Sequence, residues 1–319
     1  MSLPPWAAHP ALPELLRRLG PELEVFLVGG CLRDSLLGLP VSDYDLLVRA
    51  ADLDAPALLS VLRERLQPAR LDWVGESFGV VKLRLRTPTG EWLGETLDLA
   101  FPSRGGRQDL RLPLEADLGR RDFTVNALAY RLTQSAGWVD PFGGRRDLAE
   151  RRLQAVGHAK DRFGEDPVRV LRAARFIARF GLVPDLELCL AARQAEADVW
   201  QQPPERIFRE LAALLDLPRP ADGFDFLQRA GLTGLVAPGD PRPWWAALGP
   251  LDRWPAADRQ VLRWSAWLAA SEPLGAPGPP GPEPLLRLRA PGHLVRECAT
   301  CWRCCRWWGP PRAAPSSAA

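Results

Sequence analysis

Asp43 and Asp45, in the segment DYDLLV, are separated by one residue inside a run that reads as a β-strand. Side chains of a strand alternate faces, so the two carboxylates project to the same side. Such a pair either marks the solvated end of a strand or holds hard divalent cations such as magnesium, which prefer oxygen ligands. Two ions held this way can clamp the attacking and leaving oxygens of a phosphoryl transfer. Just upstream, EVFLVGG reads as a strand that ends in Gly29-Gly30 and runs directly into a helix. A tight turn there needs glycine in any case. It also leaves backbone N–H groups at a helix start, an anion site suited to a triphosphate. Asp98, in ETLDLAF, is a candidate third acidic group, as general base or metal ligand, with Glu95 a nearby competitor.

The elements that must position these groups follow from periodicity. Residues 10–20 read as a helix leading into the first strand, and Cys31 to Leu37 as a helix ended by Gly38. FGVVKLRLRT and ETLDLAF read as two further strands, so strands and helices alternate to about residue 130. SRGGRQDLRLP is a polar Gly/Arg loop, and DPFGGRRDLAERRLQAVG a turn, a helix and a short strand-like end. From Asp166 the pattern turns helical: Val170, Leu171, Ala174, Ile177 and Ala178 fall on one face, with arginines opposite. Further helices are expected at about 187–199, 204–215, 223–231 and 256–269. A Pro/Gly linker at 271–284 and a disordered tail complete the chain. The expected organisation is a head at 1–135, a helical neck at 136–200, a helical body at 201–270, and linker, terminal helix and tail at 271–319.

Composition limits the alternatives. With 46% hydrophobic and 25% charged residues the chain has the make-up of a globular protein, and a net charge of +2 does not by itself indicate a nucleic-acid binder. Lysine is confined to Lys82 and Lys160, and arginine concentrates between Arg120 and Arg179, a bias that a high-GC genome also produces. No basic segment followed by an apolar run opens the chain, and no apolar stretch approaches the ~20 residues of a spanning helix. A cytoplasmic protein without membrane contact is expected. Four of the six cysteines cluster in ECATCWRCCRWW, where a zinc site competes with a buried helix. Leu294, Cys298, Cys301, Cys305 and Trp308 recur at helical spacing, which favours the helix.

The segment from Gly29 to Asp45 resembles the first motif of class II tRNA nucleotidyltransferases and bacterial poly(A) polymerases, members of the polymerase β-like superfamily. The match consists of Gly29-Gly30, Arg33-Asp34, Leu36-Leu37-Gly38 and Asp43/Asp45. RRDFTVNALAY is similar to the second motif (Arg120, Arg121, Asp122, Asn126), DPFGGRRDL to the third, EDPVRVLRAARF to the fourth and PERIFREL to the fifth. The resemblance implies an α+β fold: a nucleotidyltransferase head of mixed sheet and helices, followed by an all-helical neck and body. It implies Mg2+ on Asp43 and Asp45, and ribose and triphosphate contacts from Arg120, Arg121 and Asp122. The implied substrates are CTP, ATP or both, together with the tRNA 3′ end. Gly29, Gly30, Arg33 and Asn126 join the nucleotide-binding set by the same carry-over.

In the fourth motif, Asp166 followed by Pro167 makes a good helix start, and Arg169 lies about one turn on. A carboxylate beside a guanidinium offers an acceptor next to donors. The pairing edges of cytosine and adenine present a donor beside an acceptor, whereas guanine and uracil reverse the polarity, and the family assigns this selection to these two positions. Arg172, Arg175 and Arg179 either line a path for triphosphate or tRNA phosphates or form a solvated face. The segment before Arg120 is short, and the resemblance ties a shortened loop there to enzymes adding only the two cytidines. That tilts the expectation from CCA toward CC addition. With only His9, His158 and His293, no His-Asp phosphohydrolase domain is expected. A poly(A) polymerase, a small-molecule nucleotidyltransferase and a catalytically inactive RNA-binding module are the competing readings.

Overall fold

The computed structural model describes residues 9–304 apart from 42, 51, 68, 75–79, 87–90, 93, 95, 105–106, 233–255 and 272–282. Two units divide the chain, residues 1–157 and 158–319.

In the first unit β1 (Glu24–Val28) is buried from Val25 onward, as a continuous apolar run demands of a strand covered on both faces. It pairs antiparallel with β2 (Tyr44–Arg49). β3 (Ala69–Val74), β4 (Val80–Leu85), β5 (Leu97–Ala100), β8 (Ala129–Arg131) and β9 (Gly137–Val139) complete a sheet of order β3-β4-β5-β2-β1-β8-β9. A short hairpin, β6 (Ser103–Arg104) with β7 (Arg107–Gln108), stands apart. All neighbours in the large sheet are antiparallel except β2 and β5, which run parallel. A parallel pair needs a long crossover, here supplied by α3 (Ala55–Arg65) and the β3–β4 hairpin.

α1 (Leu12–Leu19) buries Leu12, Leu15 and Leu19, one stripe at helical spacing. On one sheet face Phe26, Val28 and Leu47 pack with Leu114 and Leu118 of α4 (Leu114–Leu118) and with Ala127, Ala129 and Val156. α2 (Gly30–Leu36) packs against β1 and β2. The DPFGG turn is tied by Asp140, whose carboxylate accepts from the N–H of Gly144 (2.8 Å) and of Arg145 (3.0 Å). It launches α5 (Gly144–Ala149), where fully buried Asp147 accepts from Thr124 Oγ1 at 2.7 Å and from Arg152 at 3.0 Å. The first unit thus runs past the boundary expected at 135, because the β8–β9 hairpin and α5 complete its sheet and its packing.

In the second unit α6 (Ala159–Glu165) precedes α7 (Arg169–Phe180). α7 buries Val170, Leu171, Ala173, Ala174, Phe176, Ile177 and Ala178 and packs against α10 (Pro204–Leu215) and α11 (Ala221–Arg229). Each large apolar side chain so buried contributes roughly 1.5–3 kcal/mol, against about 0–1 kcal/mol for an exposed ion pair. The apolar stripe therefore holds α7, and its arginines are left for other work. α8 (Leu186–Gln194) and α9 (Glu196–Trp200) lie between α7 and α10 in sequence. α12 (Ala256–Ser271) packs on α14 (Gly292–Cys304), with α13 (Glu283–Arg287) between them in sequence. Leu294 and Cys298 of α14 are buried, as a core helix requires; Cys305, Trp308, most of the Pro/Gly linker and the tail lie outside the described residues. Among the described residues no helix is long and apolar enough to cross a membrane.

A Cβ added at Gly144 would strike the Thr124 carbonyl, whereas one at Gly137 would meet nothing within 4 Å. Gly144→Ala should destabilise the first unit by about 1–3 kcal/mol in urea unfolding, and Gly137→Ala should leave it unchanged or slightly more stable.

Candidate active site

Strand register makes an acidic row. Asp45 of β2 lies opposite Asp98 of β5, and Asp98 lies opposite Lys82 of β4. The Lys82 ammonium is 3.3 Å from Asp98 Oδ1. Asp43 stands immediately before the first paired residue of β2 and is exposed, while Asp45 is half-buried. Burial raises the Asp45 carboxyl above the usual carboxylate range; the Arg121 guanidinium pulls it back, and the charges of Asp98 and Asp43 push it further up. Three acids and two cations therefore share one field. Among the described residues no three His, Cys, Asp or Glu side chains form a ready cage for a metal. Magnesium does not need one, since it is held by one or two carboxylates plus water and substrate phosphates, and the Asp43/Asp45 pair fits that demand. Glu95 lies outside the described residues.

Beside this row the β1–α2 turn is made by Gly29 at φ 76°, a conformation that disfavours any side chain. A Cβ there would also run into the Arg121 guanidinium, so Arg121 lies directly over the turn, donating to the Asn126 carbonyl at 3.1 Å. The opening N–H groups of α2 have no preceding helical carbonyl to bond. Gly30 lies on the same turn, with the Arg33 guanidinium 3.5 Å from where its Cβ would be.

Beneath the turn runs a buried polar chain. Arg33 donates to Asp34 at 2.7 Å and to Asn126 Oδ1; the Asn126 amide donates to Asp122 Oδ1 at 2.8 Å, which also accepts from the Phe123 N–H at 2.8 Å. Arg33, Asp122 and Asn126 are each 7% exposed, so they form a support under the turn. Arg120 is exposed, with its guanidinium on the Ser103 carbonyl.

In the second unit Asp166 does not cap α7 as a helix start. It ends α6 in extended backbone (φ −149°, ψ 96°), and α7 begins at Arg169 with Val168 in the cap position. Pro167 accounts for the extended backbone of Asp166, since it drives the residue before it out of the helical region. Asp166 still closes the turn: its carboxylate accepts from the Val168 N–H at 3.2 Å and its carbonyl from the Arg169 N–H at 3.0 Å. Both residues of the expected base-reading set have partners within the second unit. Asp166 is gripped by both oxygens from Arg206 of α10 (2.8 and 3.1 Å), and Arg169 bonds Glu165 (3.0 Å) and the Arg162 carbonyl (3.1 Å). Arg175 bonds Glu210 of α10 at 2.8 Å and Arg172 lies 3.5 Å from the same carboxylate, while Arg179 sits over the Phe180 ring. The fourth and fifth motifs are thus joined by ion pairs.

The profile of the poly A polymerase head domain matches residues 25–154. The multifunctional CCA protein of Variovorax paradoxus is 35% identical over 320 residues, covering 91% of this chain and 72% of that protein. The chain belongs to the class II CCA-adding enzyme family. The multifunctional CCA protein of Paracidovorax citrulli is 35% identical over 233 residues, 70% of this chain and 52% of the relative. The chain thus spans about half the length of several such relatives, 51% for that of Acidovorax sp.. The structure of the Bacillus stearothermophilus CCA-adding enzyme in complex with CTP superposes with TM-score 0.67 at 26% identity, covering 95% of this chain and 70% of that one. That of the Thermotoga maritima CCA-adding enzyme complexed with tRNA shares the fold at TM-score 0.68 and 23% identity, covering 93% and 72%.

Two residues of this class II CCA-adding family member escape motif reading. Lys82 is one of only two lysines and falls on the exposed face of an alternating strand, VVKLRLRT, a signal that register alone makes meaningful. Arg206 sits inside the PERIFREL motif, but nothing in its spacing announces a partner forty residues earlier.

A carboxyl whose folded pKa lies above its ordinary value binds its proton more tightly in the folded state. Its contribution therefore favours folding below the unfolded pKa and is lost as pH rises through the folded pKa. Asp45→Asn should accordingly raise the Tm of the metal-free protein at pH 7. The gain should shrink as pH falls toward about 4, the ordinary aspartate range, in thermal melts with chelator present.

Proposed function

We propose that this chain is a template-independent RNA nucleotidyltransferase that adds CMP, AMP or both to the 3′ end of tRNA, using CTP and ATP with Mg2+. The observation that carries the reading is the Arg121 guanidinium lying over the Gly29 turn while sharing the field of Asp45. This is a cationic, N–H-rich cradle for phosphates beside a carboxylate row. The family's names and the solved complexes of its relatives with CTP and with tRNA support the same substrates.

In this reading the RNA 3′-hydroxyl attacks the α-phosphorus, the new P–O bond forms, and pyrophosphate leaves. The Gly29-Gly30 turn, Arg120 and Arg121 hold the triphosphate, with planar guanidinium forks suited to its oxygens. Arg33, Asp122 and Asn126 keep that turn in place, and Asp98 completes the acidic row. Magnesium bound at Asp43 and Asp45 supplies Lewis-acid polarisation and neutralises charge on the phosphates. Catalysis by the chain itself is then positioning and preorganised electrostatics. Asp166 accepts from the exocyclic amine of cytosine or adenine, and Arg169 donates to the adjacent ring nitrogen. Arg206 holds the Asp166 carboxylate for that task, and Arg172 and Arg175, tied to Glu210, brace the same helix pair. The shortness of the connection between β5 and Arg120, in which the described residues form the two-residue β6–β7 ladder, supports CC addition over full CCA addition.

Labelled CTP or ATP offered separately to tRNAs ending before, within and after CC, followed by 3′-end sequencing, tests the reading. CTP-only addition identifies a CC-adding enzyme, ATP after CC a CCA-adding one, and long A tails a poly(A) polymerase. No incorporation with Mg2+ present leaves an RNA-binding module. Asp43→Ala/Asp45→Ala should lower incorporation on the order of 10³-fold, about 4 kcal/mol, with an unchanged circular dichroism spectrum; normal incorporation would sink the mechanism.

Arg206→Ala should leave stability within about 1 kcal/mol, because the pair it breaks is partly exposed. It should narrow the preference for CTP over UTP by roughly 10-fold or more, read as the ratio of kcat/KM values.

A further inference from the structure

The exposed face of β4 carries more than the lysine of the acidic row. Lys82, Arg84 and Arg86 are exposed while Val81, Leu83 and Leu85 are buried beneath them. Alternate residues of a strand share a face, so the three cations form a strip on the same side of the sheet as Asp98 and Asp45. Lys82 is level with Asp98 and Leu83 with Leu97, so Arg84 and Arg86 extend the strip past the first residue of β5. Because β2 runs parallel to β5 with Tyr44 level with Leu97, that is also the end from which Asp43 enters. The strip therefore flanks the acidic row along the direction of Asp43.

Trp92 organises the two arginines. It forms a bridge with Arg86, and the guanidiniums of Arg84 and Arg86 lie 4.8 and 4.1 Å from its ring centroid. Both are within cation–π range, so one indole holds two like charges side by side that would otherwise drift apart. A cationic track with an aromatic beside it is the surface on which single-stranded nucleic acids lie.

The triphosphate is already provided for by Arg120, Arg121 and the glycine turn. The second substrate is not. A priming strand must bring its own backbone phosphates against Asp43, Asp45 and Asp98, and cations alongside would offset that repulsion. We propose that Arg84 and Arg86, held over Trp92, bind backbone phosphates of the single-stranded 3′ end of the RNA and aim its terminal hydroxyl at the acidic row. The inference rests on the nucleotidyltransferase reading, and its test keeps the two separable.

The test uses the full chain, a 5′-labelled acceptor-stem RNA hairpin with an unpaired 3′ end, and the same hairpin with a blunt end. Fluorescence anisotropy between 50 and 200 mM salt gives affinity and its salt slope without any catalysis, and steady-state assays give KM for CTP. Arg84→Gln/Arg86→Gln should weaken binding of the overhanging hairpin roughly 10-fold and reduce the slope of log K against log salt by about 1.4, two contacts of about 0.7 each. Trp92→Leu should act in the same direction with both charges retained. Blunt-hairpin affinity, KM for CTP and the melting temperature of the arginine double variant should not move. Unchanged affinity and slope for the overhanging hairpin overturns the proposal, as does equal weakening for the blunt one. Failure of the wild type to incorporate CTP while this binding pattern holds would count against the transferase reading alone.

Discussion

A guanidinium taken out of water must be matched, because removing one partner of a buried charge pair costs about 3–5 kcal/mol. Arg33 is such a group, and its partners are Asp34 beside it and Asn126 from the second motif, which in turn holds Asp122. Satisfying that one charge ties the start of α2 to the segment 120–126. Arg121 is thereby carried over Gly29, and the cradle comes to stand beside Asp45. Thr124 is pinned from the other side by buried Asp147 of α5, so the segment is held at both ends. Three motifs that look separate along the chain are one hydrogen-bonded body.

The second unit follows a different economy. Its helices are held by apolar stripes, Leu171 and Ile177 of α7 among them, and by the stacked pair Phe208 and Trp264 at 5.2 Å. The ion pairs between α7 and α10 are partly exposed and add little stability. Their effect is orientational: Arg206 fixes the direction of the Asp166 carboxylate at a turn that Pro167 keeps from becoming helix.

What could be read from the residues alone depended on how local the determining physics is. The glycine turn, the strand at 24–28 and the amphipathic stripe of α7 are written in neighbouring residues and were legible. The match of Asp98 to Asp45 is not local, because it depends on a parallel pairing across forty-seven intervening positions of crossover and hairpin. Sequence therefore left Asp98 and Glu95 in competition. ARLDWV, which forms β3, mixes charge with apolar residues and carries too few strand signals to announce a strand. Asp-Pro reads as a helix start, and the Asp166 carboxylate does accept from the Val168 N–H, but that Asp166 also ends α6 and that α7 begins only at Arg169 depends on both helices together. Motif resemblance supplied Arg120 to Asn126 as a set, but not that Arg33, Asp122 and Asn126 support one another below the surface.

The parallel pairing of β2 with β5 has an evolutionary consequence. Side chains alternate along a strand, so sliding β5 by one residue against β2 would turn Asp98 to the opposite face and bring Leu97 or Leu99 up beside Asp45. The connections before and after α3 carry no such constraint, since lengthening a loop outside the sheet is thermodynamically cheap. Insertions and deletions there are free to accumulate in this lineage, in odd or even numbers, whereas β4 is bound to β5 by its own register. The phase of four residues, Leu97 to Ala100, is not free to drift.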